Sequence, residues 1–121
     1  MLCRAVDNQD NIGICLDTGH LHIAEGDPYD FIMQADTYLK AVHIHDNHGE
    51  IINAESKYCD DWHIMPFDGG SIKWDRLRRG LCEANYGGLF SYELSNSGIP
   101  MEIKRLQATY LLQVYHTYFA F

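Results

Sequence analysis

Three short stretches of the chain alternate apolar with small or polar residues at period two, and each ends in a side chain able to hold a metal ion or a proton. In residues 12–17 the even positions are Ile12, Ile14 and Leu16, and the odd ones are Gly13, Cys15 and Asp17. Val42 and Ile44 likewise face away from Ala41, His43 and His45, and Phe90, Tyr92 and Leu94 face away from Leu89, Ser91 and Glu93. Successive side chains of a strand point to opposite faces. Each stretch therefore predicts a strand with one apolar face and one small, chemistry-bearing face.

Helical periods lie between these strands. Asp27 as N-cap, Pro28 at the first position and Asp30 three residues after the cap predict a helix, with Phe31, Ile32, Ala35 and Leu39 as its apolar face. Trp74, Leu77, Leu81 and Ala84 mark a second helix that Gly87 and Gly88 should stop. Ile103, Leu106, Tyr110, Leu111, Val114 and Tyr118 form the stripe of a third. Residues 1–6 read as the last turn of a helix, followed by a polar turn at 7–11, so the chain is expected to begin inside an element, with sequence missing upstream. A long loop, 46–73, rich in Asp, His and Gly, follows the second strand, and long loops at strand C-termini commonly carry function. Strands separated by helices in this way read as βα units, helices outside and chemistry inside.

Composition narrows the possibilities. A chain of 121 residues with 46% hydrophobic content has room for one domain with a core. Its formal charge of -8 disfavours a sequence-independent grip on nucleic acid, and a bound divalent cation would relieve part of it. Cys3, Cys15, Cys59 and Cys82 have no C-x-x-C spacing and read as small buried or incidental thiols. With no secretory or membrane-spanning apolar stretch, a reducing cytoplasm is expected.

Six of the seven histidines fall between His20 and His63, interleaved with carboxylates, a density that points to a site. Imidazole and carboxylate donors without paired thiolates suit Mn, Mg, Co, Fe or Zn. The shared strand phase makes Asp17, His43 and Glu93 candidate ligands; the alternative is that they cap helices or hydrogen bond across strands. His20, three residues after Asp17, can reach a metal or a substrate hydroxyl. Asp61 and His63 can bind a second ion, hold a substrate, or belong to a solvated loop. Asp68, Gly69, Gly70 and Ser71 could turn backbone N–H groups toward an anion. His22, His48 and His116 read as surface or supporting residues.

The ordered motifs Ile14-Cys15-Leu16-Asp17-Thr18-Gly19-His20, Ala41-Val42-His43-Ile44-His45-Asp46-Asn47, Asp61-Trp62-His63 with Gly69-Gly70-Ser71-Ile72-Lys73-Trp74, and Tyr86-Gly87-Gly88 with Tyr92-Glu93 resemble those of the xylose isomerase-like TIM barrels. These are sugar phosphate isomerases and epimerases that share their fold with the apurinic endonucleases. The resemblance implies an α/β fold in which residues 1–121 form the C-terminal three βα units of a (β/α)8 barrel, equivalent to strands six, seven and eight. It implies a divalent ion, Mn first and otherwise Mg, Co or Zn, held by Asp17, His43 and Glu93, with Asp61 and His63 as possible ligands of a second ion. His20 then binds substrate in the epimerase branch or metal in the endonuclease branch. Glu93 acts on the proton of a small sugar or sugar phosphate, through a metal-stabilised enediolate, while its partner glutamate belongs to the fifth strand, upstream of this chain. The arginine that epimerases place after the seventh strand is replaced by His48-Gly49-Glu50. Alternatives are an apurinic endonuclease-like phosphodiesterase and a non-catalytic truncated fragment; neither nucleic acid nor membrane is favoured as a partner. Three strands alone leave an inner face and two edges open, so self-association or a complementary chain is expected.

Overall fold

The structure, a computed structural model, describes residues 12–49, 51–53, 58–95 and 97–120. The helix turn expected at residues 1–6, the polar turn at 7–11 and Cys3 lie outside them. The elements in order are β1 (Ile14–Asp17), α1 (Thr18–Ile23), α2 (Pro28–Ala35), a 3-10 turn (Asp36–Tyr38), β2 (Leu39–Ile44), β3 (Ile51–Asn53), β4 (Tyr58–Cys59), α3 (Trp74–Glu83), β5 (Leu89–Tyr92) and α4 (Met101–Val114), which runs into a π-helical turn (Tyr115–Phe119). β1, β2 and β5 form one parallel sheet with β2 in the middle. β3 and β4 make a separate antiparallel pair inside what the sequence presents as one long loop.

The period-two reading holds in all three strands. Leu16, Val42 and Ile44, from the apolar faces, are buried against Ile32 and Ala35 of α2 and Trp74, Leu77 and Leu81 of α3. On the opposite phase Cys15 is exposed and Ala41, His43 and Ser91 are only half-buried. In register, Asp17 lies opposite His43 and His43 opposite Ser91. The Glu93 amide donates to the Ile44 carbonyl (3.1 Å), carrying the β2–β5 pairing one step past Tyr92. Backbone pairing thus brings Asp17, His43 and Glu93 to one end of the sheet.

The helices differ in detail from expectation. α2 starts as predicted, with the Asp27 carboxylate accepting the Asp30 amide and Pro28 at its first turn. It ends at Ala35, however, and Leu39 opens β2 instead of completing the helix's apolar face. A short helix, α1, begins directly at Thr18, where no helix was expected from the sequence. α3 buries Trp74, Leu77 and Leu81, whereas Ala84 is its exposed C-cap. The stop is not Gly87-Gly88: Asn85 takes φ of 48°, the Asn85 amide donates to Cys82 and the Tyr86 amide to Leu81. Those two bonds close a Schellman turn, with Asn supplying the left-handed residue. α2 and α3 lie close enough that a Cβ on Gly80 would meet Ile32 Cδ1 at 2.9 Å. Arg76 of α3 reaches across to the Asp27 and Asp30 carboxylates.

The stripe expected on α4 is only partly covered. Leu111 is buried, but Ile103, Leu106 and Tyr110 are exposed, and Phe119, outside the stripe, is buried at 2% exposure. Eight residues of regular α-helix would rotate Phe119 roughly 80° away from Leu111. The wider π turn takes up about that rotation, so both residues face the core. Among the described residues no helix is long and apolar enough to cross a membrane.

Leu77 is fully buried and Leu106 is 67% exposed. Leu77→Ala is expected to cost roughly 2–5 kcal/mol and Leu106→Ala no more than about 0.5 kcal/mol, measured by urea denaturation of the two variants side by side.

Candidate metal and acid-base site

The site grows from the C-terminal ends of the three parallel strands. Asp17 closes β1 and caps α1 at once, its Oδ1 accepting the His20 amide at 2.9 Å. Asp17 therefore caps a helix, the alternative posed by the sequence, and its carboxylate also belongs to a group of possible ligands. The same Oδ1 accepts from His45 Nε2 (2.9 Å), and Oδ2 lies 3.1 Å from His20 Nδ1. His43 Nδ1 donates to Glu93 Oε2 at 2.9 Å. Ligating atoms of Asp17, His43 and Glu93 all lie within 4.8 Å of one another.

The long loop returns to this mouth and adds a second cluster. Asp61 Oδ2 accepts from His20 Nε2 (2.9 Å) and from His63 Nε2 (3.1 Å), and ligating atoms of these three residues also fall within 4.8 Å. Asp61 and His63 thus stand beside His20 at the mouth and not in a detached solvated loop. His63 Nδ1 donates to the Glu93 carbonyl (3.3 Å), which ties the two clusters together.

His45 is the residue that spacing alone did not single out. It follows β2, is fully buried, stacks on His63 at 4.0 Å with 2° between the rings, and with Asp17 and His20 makes a third group of possible ligands. The Thr18 hydroxyl donates to its carbonyl (2.7 Å) and accepts from its amide (3.1 Å). A Cβ on Gly19 would lie 2.0 Å from His45 Cε1, so glycine is what lets α1 lie against the ring. In the sequence His45 stood out only by sharing a face with His43 and by lying in the motif Ala41 to Asn47.

The anion beside the Asp68 to Ser71 turn is the protein's own Asp46. Its buried carboxylate accepts from the amides of Asn47 (2.9 Å) and Ile72 (3.2 Å) and from Trp74 Nε1 (3.2 Å). A Cβ on Gly70 would come within 2.1 Å of that carboxylate. His22 and His48 sit outside the mouth: the Ser71 hydroxyl donates to the His48 carbonyl (2.7 Å), and His22 Nε2 lies 2.7 Å from Ser71 Oγ. His116 packs on Tyr115, away from the site. A cleft of about 900 Å³ lies elsewhere, between Ile14 of β1 and Phe31 of α2 on the outer side of the sheet. It holds none of the candidate ligands.

The charges in the mouth support one another. Burial pushes the Asp17 carboxyl up, but hydrogen bonds from His45 and the His20 amide, with the charges of both imidazoles, outweigh it and bring the pKa down to about 2. The hydrogen bond to Asp61 raises His20. For His45 burial acts downward, and its bond to Asp17 overcomes it. A donor set of imidazoles and carboxylates, without a thiolate among its members, fits a divalent cation of the Mn, Mg, Co or Zn type.

Compared with known proteins, residues 1–112 match the family described as xylose isomerase-like TIM barrel. A protein of Sinorhizobium fredii (strain NBRC 101917 / NGR234), named Uncharacterized protein y4fM, is 30% identical over 86 residues, 71% of this chain and 24% of that protein. A crystal structure described as a D-tagatose 3-epimerase-like protein is similar at a TM-score of 0.59 and 29% identity, covering 93% of this chain and 39% of that one. A structure of an L-ribulose 3-epimerase is similar at 0.54 and 25%, covering 83% of this chain and 29% of that one. The three-stranded α/β arrangement thus matches part of a TIM barrel, and the chain spans well under half the length of these relatives.

Because Asp17 is depressed on folding, its contribution is complete above its unfolded value and is lost as pH falls through about 2. His45 is raised, so its contribution is complete below its ordinary value of 6.5 and is lost as pH climbs past that. In EDTA, Asp17→Asn should cost roughly 2 kcal/mol between about pH 4 and 6. Denaturation curves should show the gap closing toward pH 2 and narrowing again on the alkaline side.

Proposed function

We propose a function from a fixed premise: the chain belongs to the xylose isomerase-like TIM barrel family. In this reading residues 1–121 form the last three βα units of a barrel, with β1, β2 and β5 in the places of strands six, seven and eight. The activity is isomerisation or epimerisation of a small sugar or sugar phosphate, dependent on a divalent ion, in the cytoplasm. One observation carries it: Asp17, His43 and Glu93, from three different strand ends, bring their ligating atoms within 4.8 Å at the mouth where barrel enzymes keep their chemistry. The two solved structures, of a D-tagatose 3-epimerase-like protein and of an L-ribulose 3-epimerase, support the substrate class.

Asp17, His43 and Glu93 hold the ion, Mn first and Mg, Co or Zn otherwise. When bound, it supplies positive charge to adjacent substrate oxygens as the neighbouring carbon loses its proton. Glu93, 45% exposed at the mouth, takes that proton on a carboxylate oxygen, and the imidazole of His43 orients the carboxylate from Nδ1. His20, 57% exposed, binds a substrate hydroxyl. Asp61 and His63 hold a second ion or a substrate oxygen. The acid/base group for the opposite face is the fifth-strand glutamate of the family, which residues 1–121 do not include; a complementary chain carrying that strand would complete the site.

The His20, Asp61 and His63 cluster also favours a second reading, phosphodiester cleavage at abasic DNA, against which the charge of -8 weighs. Cleavage of an abasic duplex with Zn or Mn is the outcome that only this reading predicts.

The deciding measurement is native mass spectrometry with and without Mn, followed by exchange of ketose C–H for deuterium in D2O. Expected are at least one Mn per chain in a defined oligomer, loss of uptake in Asp17→Asn, and exchange slowed about 10²- to 10⁴-fold in Glu93→Gln. A monomer that takes up no Mn would overturn the reading.

A further inference from the structure

We propose that Asn47 is a positioning residue that sets the Asp61 carboxylate, and through it the His20 and His63 imidazoles; the inference deepens the proposed function and rests on Asp61 being part of the site. Asn47 is fully buried three residues past β2 and touches neither Asp17 nor Glu93 through any hydrogen bond. Its orientation is fixed by chemistry. The Gly49 amide can only donate, and it donates to Asn47 Oδ1 (3.1 Å), so the opposite corner of the side-chain amide is the NH2 group. That group donates to Asp61 Oδ1 at 3.3 Å.

The Asp61 carboxylate is therefore held from both ends. Oδ1 is taken by Asn47, which leaves Oδ2 for the two imidazoles, at 2.9 Å and 3.1 Å. Without Asn47 the carboxylate could rotate about its side-chain bonds, because the imidazoles alone contact a single oxygen. Asn47 is itself locked to the scaffold. Its amide donates to the buried Asp46 carboxylate (2.9 Å) and its carbonyl accepts from the Ser71 amide (2.9 Å), just before α3. The backbone pairs again where Asp46 and Ile64 exchange hydrogen bonds at 2.8 and 3.1 Å. The loop that carries Asp61 and His63 is thus indexed to β2 and α3 through adjacent residues, Asp46 for the backbone and Asn47 for the side chain. A group that must hold its ligand or substrate within a fraction of an ångström needs such a support.

Asn47→Asp keeps the shape and still accepts from Gly49, but at pH 8 it replaces the donor facing Asp61 with an acceptor. The double variant N47D/D61N reverses donor and acceptor and restores the bond. In the metal-free protein the side-chain 15N resonances of His20 and His63 are expected to move in N47D while those of His43 stay. The melting temperature lost in N47D is expected to return in the double variant. In a Co(II) titration, N47D should lower affinity at the His20, Asp61 and His63 group at least tenfold and leave the Asp17, His43 and Glu93 group within twofold. Unmoved His20 and His63 resonances, or no recovery in N47D/D61N, would overturn the role of Asn47. Wild type that takes up no Co(II) would instead overturn the metal reading, with the imidazole resonances still deciding on Asn47.

Discussion

β2 holds the arrangement together because it is hydrogen-bonded on both sides, to β1 at one edge and β5 at the other. Register along a strand is all-or-none for side-chain direction, since a one-residue slip sends every side chain to the other face. The buried Val42 and Ile44 fix that register against α2 and α3. The same register then dictates that His43 points into the mouth, level with Asp17 and one step below Glu93. Hydrophobic burial on one face thus determines the geometry of the charged groups on the other.

Beyond the strand ends, polar contacts take over from apolar ones. Asp46 and Asn47 are buried, which is tolerable because each has its hydrogen bonds satisfied. They turn a long connection into a folded wall, anchored at Trp74 on one side and at Ile64 on the other. His45 does the same for α1, seated through Thr18 and the bare backbone of Gly19. Of the groups that face the mouth, His43 and Glu93 pair with each other, and His20 pairs with Asp17, whose carboxylate the buried His45 holds in turn.

Much of this was legible in the chain because period-two alternation and the Asp27-Pro28 start are local signals. The phase shared by Asp17, His43 and Glu93 survived into three dimensions since parallel strands in register preserve it. What was not legible depends on long-range contact. His45 looked like any strand-end histidine until the approach of Gly19 and the stack on His63 distinguished it. The hairpin of β3 and β4 carries no alternation long enough to announce itself. Asn85, two residues before the expected Gly87-Gly88 stop, ends α3 because a left-handed Asn is an adequate cap when its amide finds a carbonyl. On α4 the period could not tell that Ile103, Leu106 and Tyr110 stay exposed, nor that Phe119, beyond the regular α-helix in the π turn, is buried.

That wide turn at the end of α4 amounts to one surplus residue accommodated inside a helix. Removing a residue there would return the segment to ordinary winding while Phe119 kept its place beside Trp74 and Phe90. Adding or removing one between Leu111 and Tyr115 without such a turn would swing the aromatic ring out of the core. The last helix can therefore change length by a single residue at one place only, and elsewhere its residue count is as constrained as its composition.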